Sequence, residues 1–251
     1  MSEVPLLSVP LLAVSNLGKR FGGFVALENI ELSVATGERL GLIGPNGSGK
    51  STLVNCLCGT LHNETGSVVF DGQKLDGLIT HQRTRLGLAR SFQLPKPFHT
   101  LTLLDNLRVP LTYTVNARPG HHLSPAQVDA RCHELLHEVG LADKARRLPR
   151  DLTQVEMRKL ELARAVATQP RLLFADEAMA GLSPAEVEEI IAVLLRLNEE
   201  GITIVLIEHI MRAVMAFSER LVVLVAGKKI ADGAPQEVMK NPEVVRAYLG
   251  E

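Results

Sequence analysis

The chain has 251 residues, 22% of them charged, and a formal net charge of −1 at pH 7. That length buries a full core, in one domain or two small ones. A charge balance this even, without clustered Lys and Arg, argues against a nucleic-acid-binding surface. The cysteines Cys56, Cys58 and Cys132 are odd in number, form no disulfide framework, and fit buried thiols in a reducing compartment.

In chain order, the first segment is "PLLSVPLLAVS". It resembles a signal-peptide core but lacks a basic n-region and carries Pro5, Pro10 and the nearby Glu3. No apolar run approaches the ~18 residues of a membrane span. The longest, "ITIVLI" and "LVVLVA", are strand-sized, so a soluble, cytoplasmic chain is expected. "VALENIELSV" alternates apolar and polar residues, as a half-buried strand does. "RLGLIG" is a continuous apolar strand that runs into "PNGSGKST" and then a helix, with Leu53, Val54 and Leu57 inward. "GSVVFDG" is a short strand between glycines, and "LARSFQ" is a further strand candidate.

The middle changes character. From about Leu103 to Thr168 "LTLLDNL", "SPAQVDARCHELLHEVGL" and "TQVEMRKLELARAVAT" all show helical spacing. Ser124 followed by Pro125 marks a helix start, and Gly140 its stop. Alternation then returns: "RLLFAD" as strand, a helix from Ser183 to Gly201, "ITIVLIE" as strand, "HIMRAVMAFS" as helix. A strand pair around Gly227 and a helix capped by Asn241 and Pro242 close the chain. Buried strands alternating with amphipathic helices predict a parallel-sheet α/β core interrupted by a helical subdomain.

The chemistry is concentrated in two places. "GPNGSGKST", Gly44 to Thr52, fits G-x-x-x-x-G-K-[ST] in full and sits between a strand and a helix. Gly44, Asn46, Gly47, Ser48 and Gly49 let the backbone wrap phosphates. Successive N–H groups and the helix N-terminus favour anionic charge there. Lys50 adds a cation between the β- and γ-phosphates, Ser51 offers a hydroxyl to Mg²⁺, and Thr52 completes the motif. The second place is the end of "LLFAD". Ligands of this class bind outside the C-terminal ends of such strands. Asp176 would hold Mg²⁺ through its water shell, and Glu177 would polarise the attacking water.

With these motifs the chain resembles the ABC-transporter nucleotide-binding domains, over nearly its whole length. The resemblance implies a P-loop NTPase (RecA-like) α/β core with an antiparallel β subdomain and an inserted α-helical subdomain. It implies one nucleotide-binding domain, 1–251, with a catalytic core at 11–92 and 169–251 and a helical subdomain at 93–168. It further implies ATP and Mg as ligands. Phe21, in "RFGG", matches the aromatic that stacks on adenine. Gln93 matches the glutamine that reaches Mg²⁺ and water, and His209 the switch histidine on the γ-phosphate. "AGLS", Ala180 to Ser183, matches the loop where two such domains meet, with Ser183 where the family often has Asp.

The signature departs from the family pattern. Leu-Ser-Gly-Gly-Gln is here Leu152, Thr153, Gln154, Val155, Glu156. In the family this helix start faces the ATP held by the opposite subunit. Thr153 keeps a hydroxyl for the γ-phosphate, and the N–H groups of Gln154 and Val155 do not depend on side chain. Both glycines are lost, however. If either position required φ > 0, the loss would cost ~1–2 kcal/mol. Glu156 also brings a negative charge near a triphosphate. The expectation is that Val155 weakens engagement across the dimer without abolishing it.

"KRFGGFVALENIELSV", "IEHIMRAVM" and "NPEVVRAYLGE" resemble the ATPases of branched-chain amino-acid importers most. That group implies transmembrane permease subunits, a second ABC ATPase subunit, an indirect role for a periplasmic solute-binding protein, and a place on the inner face of the cell membrane. Nucleic acid is not an expected partner. The ATPase of lipopolysaccharide export and non-transport ABC ATPases are the alternatives. The latter usually carry long insertions or two such domains, whereas one compact copy stands here. "HELLH", His133 to His137, satisfies H-E-x-x-H on a predicted helix but lies in the helical insert without a third-ligand motif, which argues against zinc chemistry.

Overall fold

The computed structural model describes residues 9–92 and 95–249. β3 (Arg39–Ile43) lies at the heart of a six-stranded sheet ordered β10-β9-β3-β8-β7-β6. Its other members are β6 (Leu88–Ser91), β7 (Leu172–Asp176), β8 (Thr203–Ile207), β9 (Arg220–Val225) and β10 (Lys228–Gly233). All pairs are parallel except β9 with β10. β7 and β8 are buried along their full length. Their side chains divide by alternation between two cores. Leu173, Ala175, Ile204 and Leu206 face one, and Leu172, Phe174, Val205 and Ile207 the other. Burial on both faces is why these strands read as unbroken apolar runs.

The second core is shared with α1 (Lys50–Cys58) and with an antiparallel sheet ordered β2-β1-β4-β5. That sheet comprises β1 (Leu12–Phe21), β2 (Phe24–Val34), β4 (Thr65–Phe70) and β5 (Gln73–Lys74). The first core is shared with α3 (Leu103–Pro110), α4 (Pro125–Glu138), α5 (Gln154–Val166) and α6 (Pro184–Glu199). The cap residues expected from sequence act as caps: Ser124 and Ser183 each accept from the N–H three residues on, in capping boxes with Gln127 and Glu186.

Some elements escaped the sequence reading. α2 (Thr80–Leu86) has the polar sequence THQRTRL and no apolar stripe to announce it. Its Arg83, 1% exposed, donates to the carbonyls of Cys56 and Leu57 and so caps the C-terminal turn of α1. α8 (Pro235–Val238) is a single turn, too short to carry a period. α7 (Met211–Phe217) and α9 (Pro242–Leu249) pack beside the sheet, Val214 and Val244 sharing a buried cluster with Ile43, the last residue of β3. Residues 1–8, with most of the apolar N-terminal stretch, lie outside the described residues, as does Gln93.

Candidate functional site

The loop between β3 and α1 is shaped by what it lies against. A Cβ at Gly44 would stand 2.1 Å from the Leu224 carbonyl oxygen, and one at Gly49 would stand 2.8 Å from that of Ala26. Gly49 also has φ +103. Only bare backbone fits, and the loop is pressed between β9 and β2. Ser48, 2% exposed, ties it further, its carbonyl accepting from the Gly227 N–H at 3.0 Å. Lys50 folds back over the loop and donates through Nζ to the Gly44 carbonyl at 2.6 Å and to that of Pro45 at 3.1 Å. Burial lowers its ammonium from the ordinary value, while the fields of Glu177 and Asp176 oppose the change. An anion seated among these N–H groups would find the lysine already poised. Asn46, Gly47 and Ser51 are exposed and Thr52 half-buried, so the outer side of the loop is open.

Asp176 is the last residue of β7 and is 5% exposed. Glu177 follows with φ +47, a left-handed backbone for a non-glycine residue, and its N–H donates to the Ile207 carbonyl at 2.9 Å. Such local strain persists only where the surrounding structure over-determines it. The same strand ends carry the next residues. Glu208, 1% exposed, accepts from the Met179 N–H at 2.9 Å, and burial raises its carboxyl. His209 is exposed beside it, with Nδ1 3.8 Å from the Glu208 carboxylate. The sheet therefore brings Lys50, Asp176, Glu177 and His209 to one end. The donor set suits a magnesium nucleotide: a hydroxyl on Ser51, a carboxylate on Asp176, and a lysine between loop and acids.

Phe21 sits at the tip of the β1–β2 hairpin, 48% exposed, with the Lys19 ammonium 5.3 Å from its ring centre. β2, its hairpin partner, approaches the loop at Ala26, whose carbonyl lies against Gly49.

The signature stretch opens α5 in ordinary conformations. Thr153 is the N-cap at φ −69 and ψ 171, Gln154 and Val155 are helical, and none of them has a left-handed backbone. The strain that loss of glycine could have imposed is absent. Thr153 Oγ1 accepts from the Glu156 N–H at 3.4 Å, and Glu156 accepts from the Thr153 N–H at 3.0 Å. Lys144 donates to the other oxygen of Glu156 at 2.6 Å. That bond lowers the Glu156 carboxyl below its usual range, so the added charge is matched within the chain. Val155 is 8% exposed and belongs to the core of the helical block. The N–H groups of Gln154 and Val155, at the helix start, have no intrahelical acceptor. From α5, Arg158 donates to the Ala180 carbonyl at 3.2 Å, and Gln154 Nε2 stands 3.5 Å from it. The "AGLS" loop is thereby fastened to the signature helix.

Other neighbours of the site carried no sequence signal. Arg90 forks onto Asp176, 86 residues away. Tyr248, on α9, is raised at its phenol by burial, and the neighbouring Gly44 backbone opposes that rise. Both contacts cross between elements distant in sequence. Elsewhere His133 and His137 lie on α4, His133 exposed and 3.7 Å from Asp129. Among the described residues no group of three His, Cys, Asp or Glu could hold a metal ion. None of their helices is long and apolar enough to cross a membrane.

The strand ending in Asp176 is expected beside the phosphate-loop strand, but β8 pairs with both and lies between them. A phosphate loop, paired acids at the end of β7 and a helical insert define a P-loop ATPase with an α/β fold. The chain belongs to the ABC transporter family, whose model matches residues 27–180. Residues 228–251 match the model of the branched-chain amino acid ATP-binding cassette transporter. It is 38% identical to the high-affinity branched-chain amino acid transport ATP-binding protein LivG of Salmonella typhimurium, covering 98% of this chain and 100% of the relative. Among solved structures it is similar to the ADP conformation of MJ1267, an ATP-binding cassette of an ABC transporter. The TM-score is 0.86 and identity 30%, over 97% of this chain and 100% of the other. A dimeric post-hydrolysis state of the cassette MJ0796 bound to ADP and Pi is similar at TM-score 0.78 and 27% identity, over 89% and 98%.

Proposed function

We propose that the chain hydrolyses ATP as one half of an ATPase dimer that powers import of branched-chain amino acids or related small solutes through transmembrane permease subunits. Two similarities support the cargo class. Similarity to LivG runs the whole length, and the separate branched-chain model matches the C-terminal segment. A periplasmic solute-binding protein would deliver cargo, and the chain would sit on the inner membrane face.

In this reading residues 93–168 form the helical subdomain and the rest of 11–251 the core. Phe21 stacks on adenine. Gly44, Asn46, Gly47, Ser48, Gly49 and Lys50 hold the phosphates, with Thr52 in the same turn. Ser51, Asp176 and Gln93 would hold Mg²⁺, which would supply positive charge against the charge that develops on the phosphates. Glu177 takes a proton from the attacking water, and His209 donates to the γ-phosphate. Thr153 and the Val155 N–H grip the nucleotide held by the opposite subunit. Lys50, withdrawn onto the Gly44 carbonyl at 2.6 Å, exchanges that bond for phosphate.

A groove of about 290 Å³ between β6, α2 and the helical block suits a permease segment. It carries exposed Phe92, Phe98 and Tyr113 together with the largely buried Glu161–Arg164 ion pair.

Solution mass of Glu177→Gln with and without Mg-ATP tests the dimer. The variant is expected to shift to dimer mass, alone or with a second ATPase chain. ATP binding without any mass shift in either case would defeat the reading. Uptake of labelled leucine by the reconstituted transporter, absent with Lys50→Ala, tests the cargo.

A further inference from the structure

We propose that Arg90 is a positioning residue for the magnesium site, holding Asp176 by one carboxylate oxygen and tying it to the helix that carries Ser51. This rests on the reading of Asp176 as a Mg²⁺ ligand.

The geometry is specific. Arg90 Nε donates to Asp176 Oδ2 at 3.2 Å, and Nη2 donates to the same oxygen. The fork engages Oδ2 alone, and the Asp176 charge reaches Lys50 in the loop. The third arm, Nη1, donates to Asn55 Oδ1 at 2.6 Å. Asn55 lies on α1 one turn beyond Ser51, and residues at i and i+4 share a helix face. One guanidinium thus joins two of the three proposed Mg²⁺ ligands through a continuous path: Ser51, the α1 face, Asn55, Arg90, Asp176.

Both side chains are largely buried, 15% exposed for Arg90 and 7% for Asp176, so water cannot easily replace the contact. A fork of this shape fixes direction as well as charge, which lysine does not. Groups behind a metal ligand set its orientation and thereby the metal affinity. The same guanidinium lies 5.7 Å from the ring centre of Phe92, which lines the groove. Pressure on Phe92 from a partner would therefore reach Asp176 through a single side chain.

The test is a Mg²⁺ titration of binding by a fluorescent ATP analogue, with melting checked for each variant. Arg90→Gln is expected to raise the Mg²⁺ needed for half-maximal binding on the order of tenfold. Binding in excess EDTA stays as in the parent. Arg90→Lys recovers part of the shift, and Asn55→Ala produces a smaller one in the same direction. In ATPase assays the deficit disappears at saturating Mg²⁺, which a general loss of structure would not allow. Asp176→Asn is the control. If it raises the Mg²⁺ requirement and Arg90→Gln does not, the inference fails while the reading of Asp176 stands. If Asp176→Asn leaves the requirement unchanged, that reading fails and the inference falls with it. Should Arg90→Gln not melt cooperatively, Asn55→Ala decides: no shift overturns the role.

Discussion

The phosphate loop and the signature stretch are both helix starts, but they treat glycine in opposite ways. At the loop, Gly44 and Gly49 lie against neighbouring backbone, with a Cβ at Gly44 only 2.1 Å from a carbonyl oxygen. No side chain can be accommodated. At the signature, Thr153, Gln154 and Val155 have ordinary cap and helix conformations, and Val155 turns its side chain into the core. A motif position is fixed by sterics in one place and merely customary in the other. The same contrast holds for charge. Lys50 is bonded to the loop's own carbonyls. Glu156, in place of the pattern's glutamine, is matched by Lys144.

The largest expected effect lies on the phosphate-loop side. Glu177→Gln should lower the hydrolysis rate by ~10²–10⁴-fold while ATP still binds, read by phosphate release beside nucleotide titration. An unchanged rate would remove Glu177 as the base. Gly44→Ala comes next. Its Cβ would overlap the Leu224 carbonyl, so the variant should lose nucleotide affinity and melt at lower temperature. Tolerance of alanine there would break the comparison.

On the signature side, Val155→Gly restores the family residue yet should not restore a strained backbone, because none exists. It removes a buried side chain at about 1.5–3 kcal/mol and puts glycine in a helix at about 0.8–1 kcal/mol. Lower melting temperature with no gain in ATPase is the expected result. A faster ATPase would instead show that the side chain limits engagement. Thr153→Ala should cost ~1 kcal/mol by loss of the cap, measured by chemical denaturation.

The smallest effect concerns pH. Glu156 is held below its unfolded value, near 4.3 for a free glutamate, first by the bond from Lys144. A lowered folded value means that the contribution is complete above the unfolded value. It is lost as pH falls through the folded one. The pair is partly exposed, so it is worth about 0–1 kcal/mol. Melting curves between neutral and acid pH should show a shallower acid loss in Lys144→Ala than in the parent. Equal slopes would mean that Lys144 does not compensate Glu156.

Where the chemistry is contiguous, sequence was sufficient. The loop from Gly44 to Thr52 contains its own turn, cation and helix start, so nine neighbouring residues announce it. Asp176 and Glu177 were legible because a buried parallel strand must be apolar until it ends, and two acids end it. The Ser-Pro and Asn-Pro helix starts were legible because capping is local. The sequence also determined the α/β order, since apolar strands and amphipathic helices carry different periods.

Tertiary structure alone decided the rest. Arg90, Asn55 and Asp176 meet across separations of 86 and 35 residues, which no local pattern encodes. Lys144 finds Glu156 because a loop returns to the start of α5. Tyr248 reaches Gly44 because α9 packs beside the end of β3. Whether the missing glycines mattered was likewise undecidable from letters, because φ at each position is set by the helix and cap that the packed chain imposes. Local covalent and capping preferences wrote the motifs. Burial between distant elements chose the partners that hold them.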